Sequence, residues 1–233
     1  MKLFEPCRLG NVEIRNRIVM APMSLNLCKD GFVTDRMIRF FEERAKGGAG
    51  LIVIGDGIVE TPRGNNVRES TAIDDDRYIP ALAKLVRAVQ AHGAKIALQL
   101  SHGGRRAGRV SKAGYLDVTR GAIPVAPSSI PHPVPGFVVP RELSREEISE
   151  LIAKFGDAAR RAVEAGFDIV LNATSASLRA ELPPVPPSVF MSDGLAYELA
   201  YGKGLTPFLR LANEAGVKRL ADGVGMLIEQ AAE

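Results

Sequence analysis

Short apolar strands alternate with amphipathic helices along most of this chain, and a chain built that way has few ways to fold. Arg17–Met23 reads as a strand. Thr34 then caps a helix whose Met37, Phe40, Phe41 and Ala45 recur on one side, and Gly47, Gly48 and Gly50 stop it. Leu51–Ile54 is a fully apolar strand of the kind buried on both faces. A helix over Ile79–His92 carries Leu82, Leu85, Val86 and Val89 at helical spacing and ends at Gly93, and Lys95–Leu100 is the next strand. Ser144 and Glu147 form a capping box for a helix with Ile148, Leu151, Ile152, Phe155, Ala159 and Val163 as its buried stripe. Phe167–Leu171 follows as a fourth strand. Strand, helix and strand in succession favour parallel pairing with crossover helices.

The rhythm breaks over residues 101–143, which are loop-rich and hold Pro124, Pro127, Pro131, Pro133, Pro135 and Pro140. A second Pro-rich stretch spans Pro183–Pro187. Beyond it, Leu195–Tyr201 reads as a strand. Thr206 and Pro207 then open a helix with Phe208, Leu211 and Ala212 on its apolar side, and Gly216 closes it. Arg219–Ala221 is a short strand, and a last helix runs through Met226, Leu227 and Ala231.

Composition excludes several classes. Basic and acidic residues number 30 and 27, a balance too even for a nucleic-acid footprint. The run Arg105, Arg106, Arg109 and Lys112 is either a solvated loop or an anion contact. No apolar run is long enough for a membrane span, and Met1–Gly10 has no signal-peptide core. Cys7 and Cys28 lack metal or redox spacing and read as free thiols, so a cytoplasmic setting and no metal site are expected.

The strings Leu3-Phe4-Glu5-Pro6, Asn16-Arg17-Ile18, Ala21-Pro22-Met23-Ser24, Ala45-Lys46-Gly47-Gly48 and Gln99-Leu100-Ser101-His102-Gly103-Gly104-Arg105 occur in order over residues 1–170. Together they resemble the old yellow enzyme family, in particular its 2,4-dienoyl-CoA reductase-like NADH:flavin oxidoreductase branch. The resemblance implies an FMN-binding barrel with the flavin over the C-terminal strand ends. Pro22, Met23 and Ser24 would line the flavin, Gly55 would allow close approach, and Gln99 would bond the pyrimidine edge. An amide can donate and accept at such an edge, and glycine removes a side chain that would collide with the ring. Plainer roles stand beside these: Met23 could pack, a backbone group could satisfy Gln99, and His102 could orient a loop.

The chain also departs from that pattern. The family's strand four ends in a histidine, then a histidine or asparagine, then a tyrosine, which hold and protonate substrate. Ala173, Ala176 and Leu178 stand at the matching positions. No segment matches strands five to eight, so the flavin's phosphate anchor is expected to be absent.

From about Phe167 onward other strings take over: Asn172-Ala173-Thr174-Ser175, then Tyr201-Gly202-Lys203-Gly204-Leu205-Thr206-Pro207-Phe208-Leu209, then Asp222-Gly223-Val224-Gly225-Met226-Leu227-Ile228-Glu229-Gln230-Ala231. These resemble the C-terminal part of shikimate dehydrogenase. The resemblance implies that Asn172 and Thr174 lie along NADP, that Met226 sits near the nicotinamide, and that Tyr201 and Gln230 contact shikimate. That family's catalytic lysine and aspartate and its Gly-rich dinucleotide turn have no counterpart here. Tyr201 and Gln230 could equally be surface groups, and Thr206 a helix cap.

The expected fold is therefore α/β: half of a (β/α)8 flavin barrel, strands one to four, continued by Rossmann-like βα units in a mostly parallel sheet. Expected segments are 1–168 and 169–233. The first functional expectation is a recombined or engineered chimera of two oxidoreductase fragments with no catalytic residue and at most residual FMN binding. The alternatives are an FMN-dependent NAD(P)H oxidoreductase, or NADP or shikimate binding through the C-terminal segment. Expected partners are small molecules, with a homodimer through open sheet edges.

Overall fold

The computed structural model describes residues 2–9, 12–111, 114, 116–172, 190, 195–198 and 204–222. The first elements, β1 (Cys7–Leu9) and β2 (Val12–Ile14), pair antiparallel as a hairpin. Parallel pairing then dominates. β3 (Val19–Met20) lies beside β4 (Leu51–Ile58), with Val19 opposite Leu51 and Met20 opposite Ile52. β4 also pairs with the short β5 (Thr71–Ala72) at its C-terminal end, and along its other edge with β6 (Lys95–Ser101). The helices α1 (Asp35–Lys46) and α2 (Ile79–Gln90) make the crossovers.

The strand expected over Arg17–Met23 is shorter than its apolar pattern suggests. The Asn16 side chain accepts from Ile18 N–H at 3.1 Å and donates to the Gly48 carbonyl at 2.7 Å, which holds the chain in a bend up to Ile18. Arg15, just before it, donates to the carbonyls of Ala45, Ala49 and His92 at 2.6, 2.8 and 2.5 Å. One guanidinium thus satisfies carbonyls left open where α1 and α2 end.

Residues 101–143 form the expected excursion, braced by β7 (Val125–Ala126) and β8 (Arg141–Glu142). The helix α3 (Arg145–Glu164) starts at the expected capping box: Glu147 N–H to Ser144 Oγ at 3.1 Å, and Ser144 N–H to Glu147 Oε2 at 2.9 Å. Its buried face differs from the expected stripe. Gly156, Ala158, Ala159 and Ala162 are buried, whereas Ile148, Leu151, Ile152, Phe155 and Val163 are half-buried. Ala158 and Ala162 join the main core, and Leu151 and Phe155 pack against it.

Period-two alternation sorts the core into layers. Ile52, Ile54, Ile96 and Leu98 face the helices, packing with Met37, Phe41, Leu82, Leu85, Val86, Val89, Ala158 and Ala162. Leu51, Val53, Ala97 and Ile169 face the other way, onto Val12 and Ile14 of the hairpin. Each fully buried Leu, Ile or Val contributes about 1.5–3 kcal/mol, so β4 and β6 are held from both faces.

The expected fourth strand is β9 (Val170–Asn172). It continues the parallel arrangement through a bridge from Ala97 to Ile169 and the Asp168 N–H bond to the Ile96 carbonyl at 3.0 Å. β9 pairs in parallel with β10 (Leu195–Glu198), which pairs in parallel with β11 (Arg219–Asp222). The strand after the second Pro-rich stretch therefore sits on the free edge of the fourth strand. Between them α4 (Pro207–Glu214) starts at the expected Thr206 cap, whose Oγ1 accepts from Leu209 N–H at 3.3 Å. Its Phe208, Leu209 and Ala212 pack with Ala196 and Val217 in a core separate from the larger one. The helix expected through Met226, Leu227 and Ala231 lies outside the described residues.

Asp168 fastens the junction of β6 and β9. Its carboxylate accepts from Lys95 Nζ at 2.9 Å, Ile96 N–H at 2.9 Å and Gln90 Nε2 at 3.1 Å. Asp168→Ala strands a backbone donor and frees a lysine, so we expect it to cost about 1–3 kcal/mol, read as a lower urea midpoint at unchanged slope.

Candidate functional site

The C-terminal ends of β3, β4 and β6 converge on Gly55. A Cβ built at Gly55 would lie 2.9 Å from Pro22 Cβ, 3.0 Å from Met23 N and 3.3 Å from Gln99 Oε1. No side chain fits there without moving backbone. The parallel bridge between Ser24 and Gly55 fixes the same approach. Pro22, Met23, Ser24, Gly55 and Gln99, each singled out from the sequence, therefore come together at one place.

Their exposure matters as much as their proximity. Met23 is 46% exposed, and Ser24 and Gln99 are exposed too. Met23 does not serve as core packing. Among the described residues the Gln99 carboxamide makes no hydrogen bond, so both its donor and its acceptor are available. Gln99 follows Ala97 on the inner face of β6, one step beyond the packed layer. A small crevice, with a cavity volume of only about 10 Å³, lies beside this point, lined in part by Ser24, Leu25, Cys28, Gly55, Asp56 and Thr71. Burial pushes the Cys28 thiol up to about 11, so this cysteine is an unreactive part of the wall.

A polar network that the motif reading passed over supports the strand ends. The Ser24 hydroxyl donates to both Asp56 oxygens, at 3.0 and 2.9 Å. Asn66 Nδ2 donates to Asp56 Oδ2 at 2.6 Å and to Ser101 Oγ at 2.7 Å. This ties β3, β4 and β6 together at one level. The sequence did carry a signal: Asp56 is a charged residue between two glycines in an otherwise apolar strand.

A second network lies at Glu60. Its carboxylate accepts from Arg63 Nε at 2.7 Å and Nη2 at 2.6 Å, from His102 Nε2 at 3.1 Å and from Lys154 of α3. His102 Nδ1 accepts from Gly104 N–H at 3.1 Å, so the proton on Nε2 faces Glu60. Both ring nitrogens are used within the protein, and His102 orients the loop after β6. Burial alone would raise the Glu60 pKa. The hydrogen bonds from His102, Arg63 and Lys154 together outweigh it and hold the carboxyl well below the usual carboxylate range.

Asn172 ends β9, paired with Glu198. Thr174, Tyr201, Met226 and Gln230, together with Ala173, Ala176 and Leu178, lie outside the described residues. Among the described residues no cluster of His, Cys, Asp or Glu could hold a metal ion, and no helix is long and apolar enough to cross a membrane.

Residues 2–175 match the NADH:flavin oxidoreductase / NADH oxidase family. The chain belongs to this family. It is 46% identical over 167 residues to an NADH oxidase of Thermoanaerobacter brockii, covering 71% of this chain and 24% of that protein. It is 39% identical over 171 residues to an NADPH dehydrogenase of Listeria monocytogenes, covering 72% of this chain and 47% of that protein. The structure of morphinone reductase in complex with tetrahydroNAD superposes with a TM-score of 0.65 at 29% identity, covering 73% of this chain and 48% of that one. The chain thus spans about a quarter to a half of the length of these curated relatives. A different likeness is to the shikimate dehydrogenase (NADP(+)) of Nitrosospira multiformis, 50% identical over 92 residues, 38% of this chain and 34% of that protein. The shares of the chain covered by the two kinds of match exceed its length, so they overlap.

A carboxylate with a depressed pKa stabilises the fold above its ordinary value of 4.5 and loses that contribution as pH falls below it. We therefore expect the stability advantage of the wild type over Glu60→Gln to be constant near neutrality. It should shrink progressively below about pH 4.5, in urea melts of both proteins across pH. Curves that stay parallel down to acid pH would contradict this.

Proposed function

We propose that this chain is an FMN-dependent NAD(P)H oxidoreductase, with its flavin ring held at the C-terminal ends of β3, β4 and β6. The observation that carries the reading is the cradle at Gly55: a position where no Cβ fits, bordered by Pro22 and Met23 and by an exposed, unbonded Gln99 carboxamide. A flat heteroaromatic ring with imide-type donors and acceptors at one edge suits that combination. Gln99 would bond that edge, Gly55 would let Pro22, Met23 and Gln99 close together beneath the ring, and Pro22 and Met23 would supply apolar contact. When bound, FMN supplies hydride chemistry between NAD(P)H and an acceptor. Family membership and the names of the relatives, NADH oxidase and NADPH dehydrogenase, support the same reading.

The test is FMN titration of the purified chain, followed by NADH and NADPH reduction of the complex. We expect saturable binding and bleaching of the flavin absorbance by one or both nucleotides. Gln99→Ala should weaken FMN binding about tenfold, about 1.4 kcal/mol. Absence of saturable binding, or binding indifferent to Gln99→Ala, would count against the reading.

A second reading concerns the architecture. We infer that residues 1–168 form half of a flavin barrel and that residues 169–233 continue it with units akin to shikimate dehydrogenase. The 50% identity to the Nitrosospira enzyme supports it. On this reading the chain is a fusion of two oxidoreductase fragments, and NADP or shikimate would bind through the C-terminal segment. A thermal shift with NADP or shikimate that persists in Gln99→Ala supports that binding. No shift with either removes it.

A further inference from the structure

Asp56 is a buried acid in an apolar strand, 6% exposed, and its hydrogen-bond donors are neutral: the Ser24 hydroxyl and the Asn66 amide. A carboxylate has no proton to return, so the Ser24 hydrogen points at Asp56. Ser24 itself is exposed, and its backbone pairs with Gly55, against which the Gln99 amide lies. A hydroxyl has a single proton. With that proton held by Asp56, Ser24 meets a ligand at these strand ends with lone pairs only.

We propose that Asp56 is a positioning residue that makes Ser24 an acceptor toward the flavin and thereby disfavours the reduced flavin relative to the oxidised one. The inference rests on the flavin reading above. Hydride transfer from NAD(P)H releases NAD(P)+ and adds one negative charge to the ring, whose oxygens then gain more from nearby donors. Ser24, with its proton turned away, offers none. In Asp56→Asn the Asn66 amide keeps the remaining oxygen, and the new amide nitrogen donates to Ser24. The Ser24 proton is then free for the ring.

The experiment measures affinity for oxidised and chemically reduced FMN on the full chain, anaerobically, for the wild type, Asp56→Asn, Ser24→Ala and the double variant. Asp56→Asn is expected to raise the reduced-to-oxidised affinity ratio about tenfold, which is about 30 mV for a two-electron couple. Ser24→Ala removes the acceptor that disfavours the reduced form, so it is expected to raise the ratio, by less than Asp56→Asn does. The double variant should lose the tenfold gain, because the gain acts through the hydroxyl. The proposal is overturned by an unchanged ratio in Asp56→Asn, by a gain that persists in full in the double variant, or by an unchanged or lower ratio in Ser24→Ala. If Asp56→Asn does not fold, Ser24→Ala decides alone, since its side chain is exposed. A wild type that binds neither form sinks the flavin reading and this inference together. A wild type that binds both forms, with variants that leave the ratio unmoved, sinks this inference alone.

Discussion

Parallel pairing is the constraint from which the rest of this molecule follows. A parallel strand cannot turn directly into its neighbour, and α1, α2 and α3 carry the chain back over the sheet between β3 and β4, between β4 and β6, and between β6 and β9. The strands are then covered on one face by helices, and alternate residues must satisfy two different layers. Ile52 and Ile54 go to the helices while Leu51 and Val53 go to the hairpin layer. The same constraint brings every strand's C-terminal end to one side. Pro22, Gly55 and Gln99 come from separate parts of the sequence, yet parallel register brings them to one level of the sheet.

The junction near Asp168 obeys the same rule. β9 needs one partner on each edge, and it finds β6 through Ala97 and Ile169 on one side and β10 on the other. Parallel pairing asks only for backbone in register and an apolar residue at alternate positions. A strand meeting those terms can be continued by βα units of either kind that this chain resembles. The overlap of the two kinds of match fits that tolerance, since the stretch they share must satisfy both. Among the described residues, side-chain packing does not cross the junction. The cluster around Phe208 and Ala212 is separate from the one around Phe41 and Leu85, so the sheet is continuous through its backbone while its apolar layers are divided.

Much of this was legible in the residues themselves, and the exceptions have physical reasons. Helix starts at Thr34, Ser144 and Thr206 could be read because a cap needs only a local side chain and a backbone N–H a few residues on. The cluster of Pro22, Met23, Gly55 and Gln99 was legible through motifs. The strand before it was overextended, because its true start is set by Asn16 reaching Gly48, a contact across 32 residues that periodicity does not contain. The stripe on α3 was read only in part: Ala159 is buried and Leu151 and Phe155 pack against the core, but hydrophobicity marks bulky residues, and the most buried positions also include Gly156, Ala158 and Ala162, which count for little in an apolar pattern. Asp56 and Glu60 went unread because their partners arrive from other strands and loops.

Those two acids also show how environment, rather than residue type, sets electrostatic character at one end of a sheet. Glu60 is surrounded by Arg63, Lys154 and the proton-bearing nitrogen of His102, so its charge is neutralised where it lies and is spent on holding the loop after β6 to α3. Among the described residues, Asp56 receives only neutral donors. Its hydrogen bonds satisfy the carboxylate without cancelling it, and they orient the donors in return. A neutral hydroxyl or amide bonded to an acid has its remaining lone pairs and protons directed outward in a fixed sense. Glu60 therefore acts on the protein's own frame, while Asp56 sets what Ser24 presents at the open strand ends.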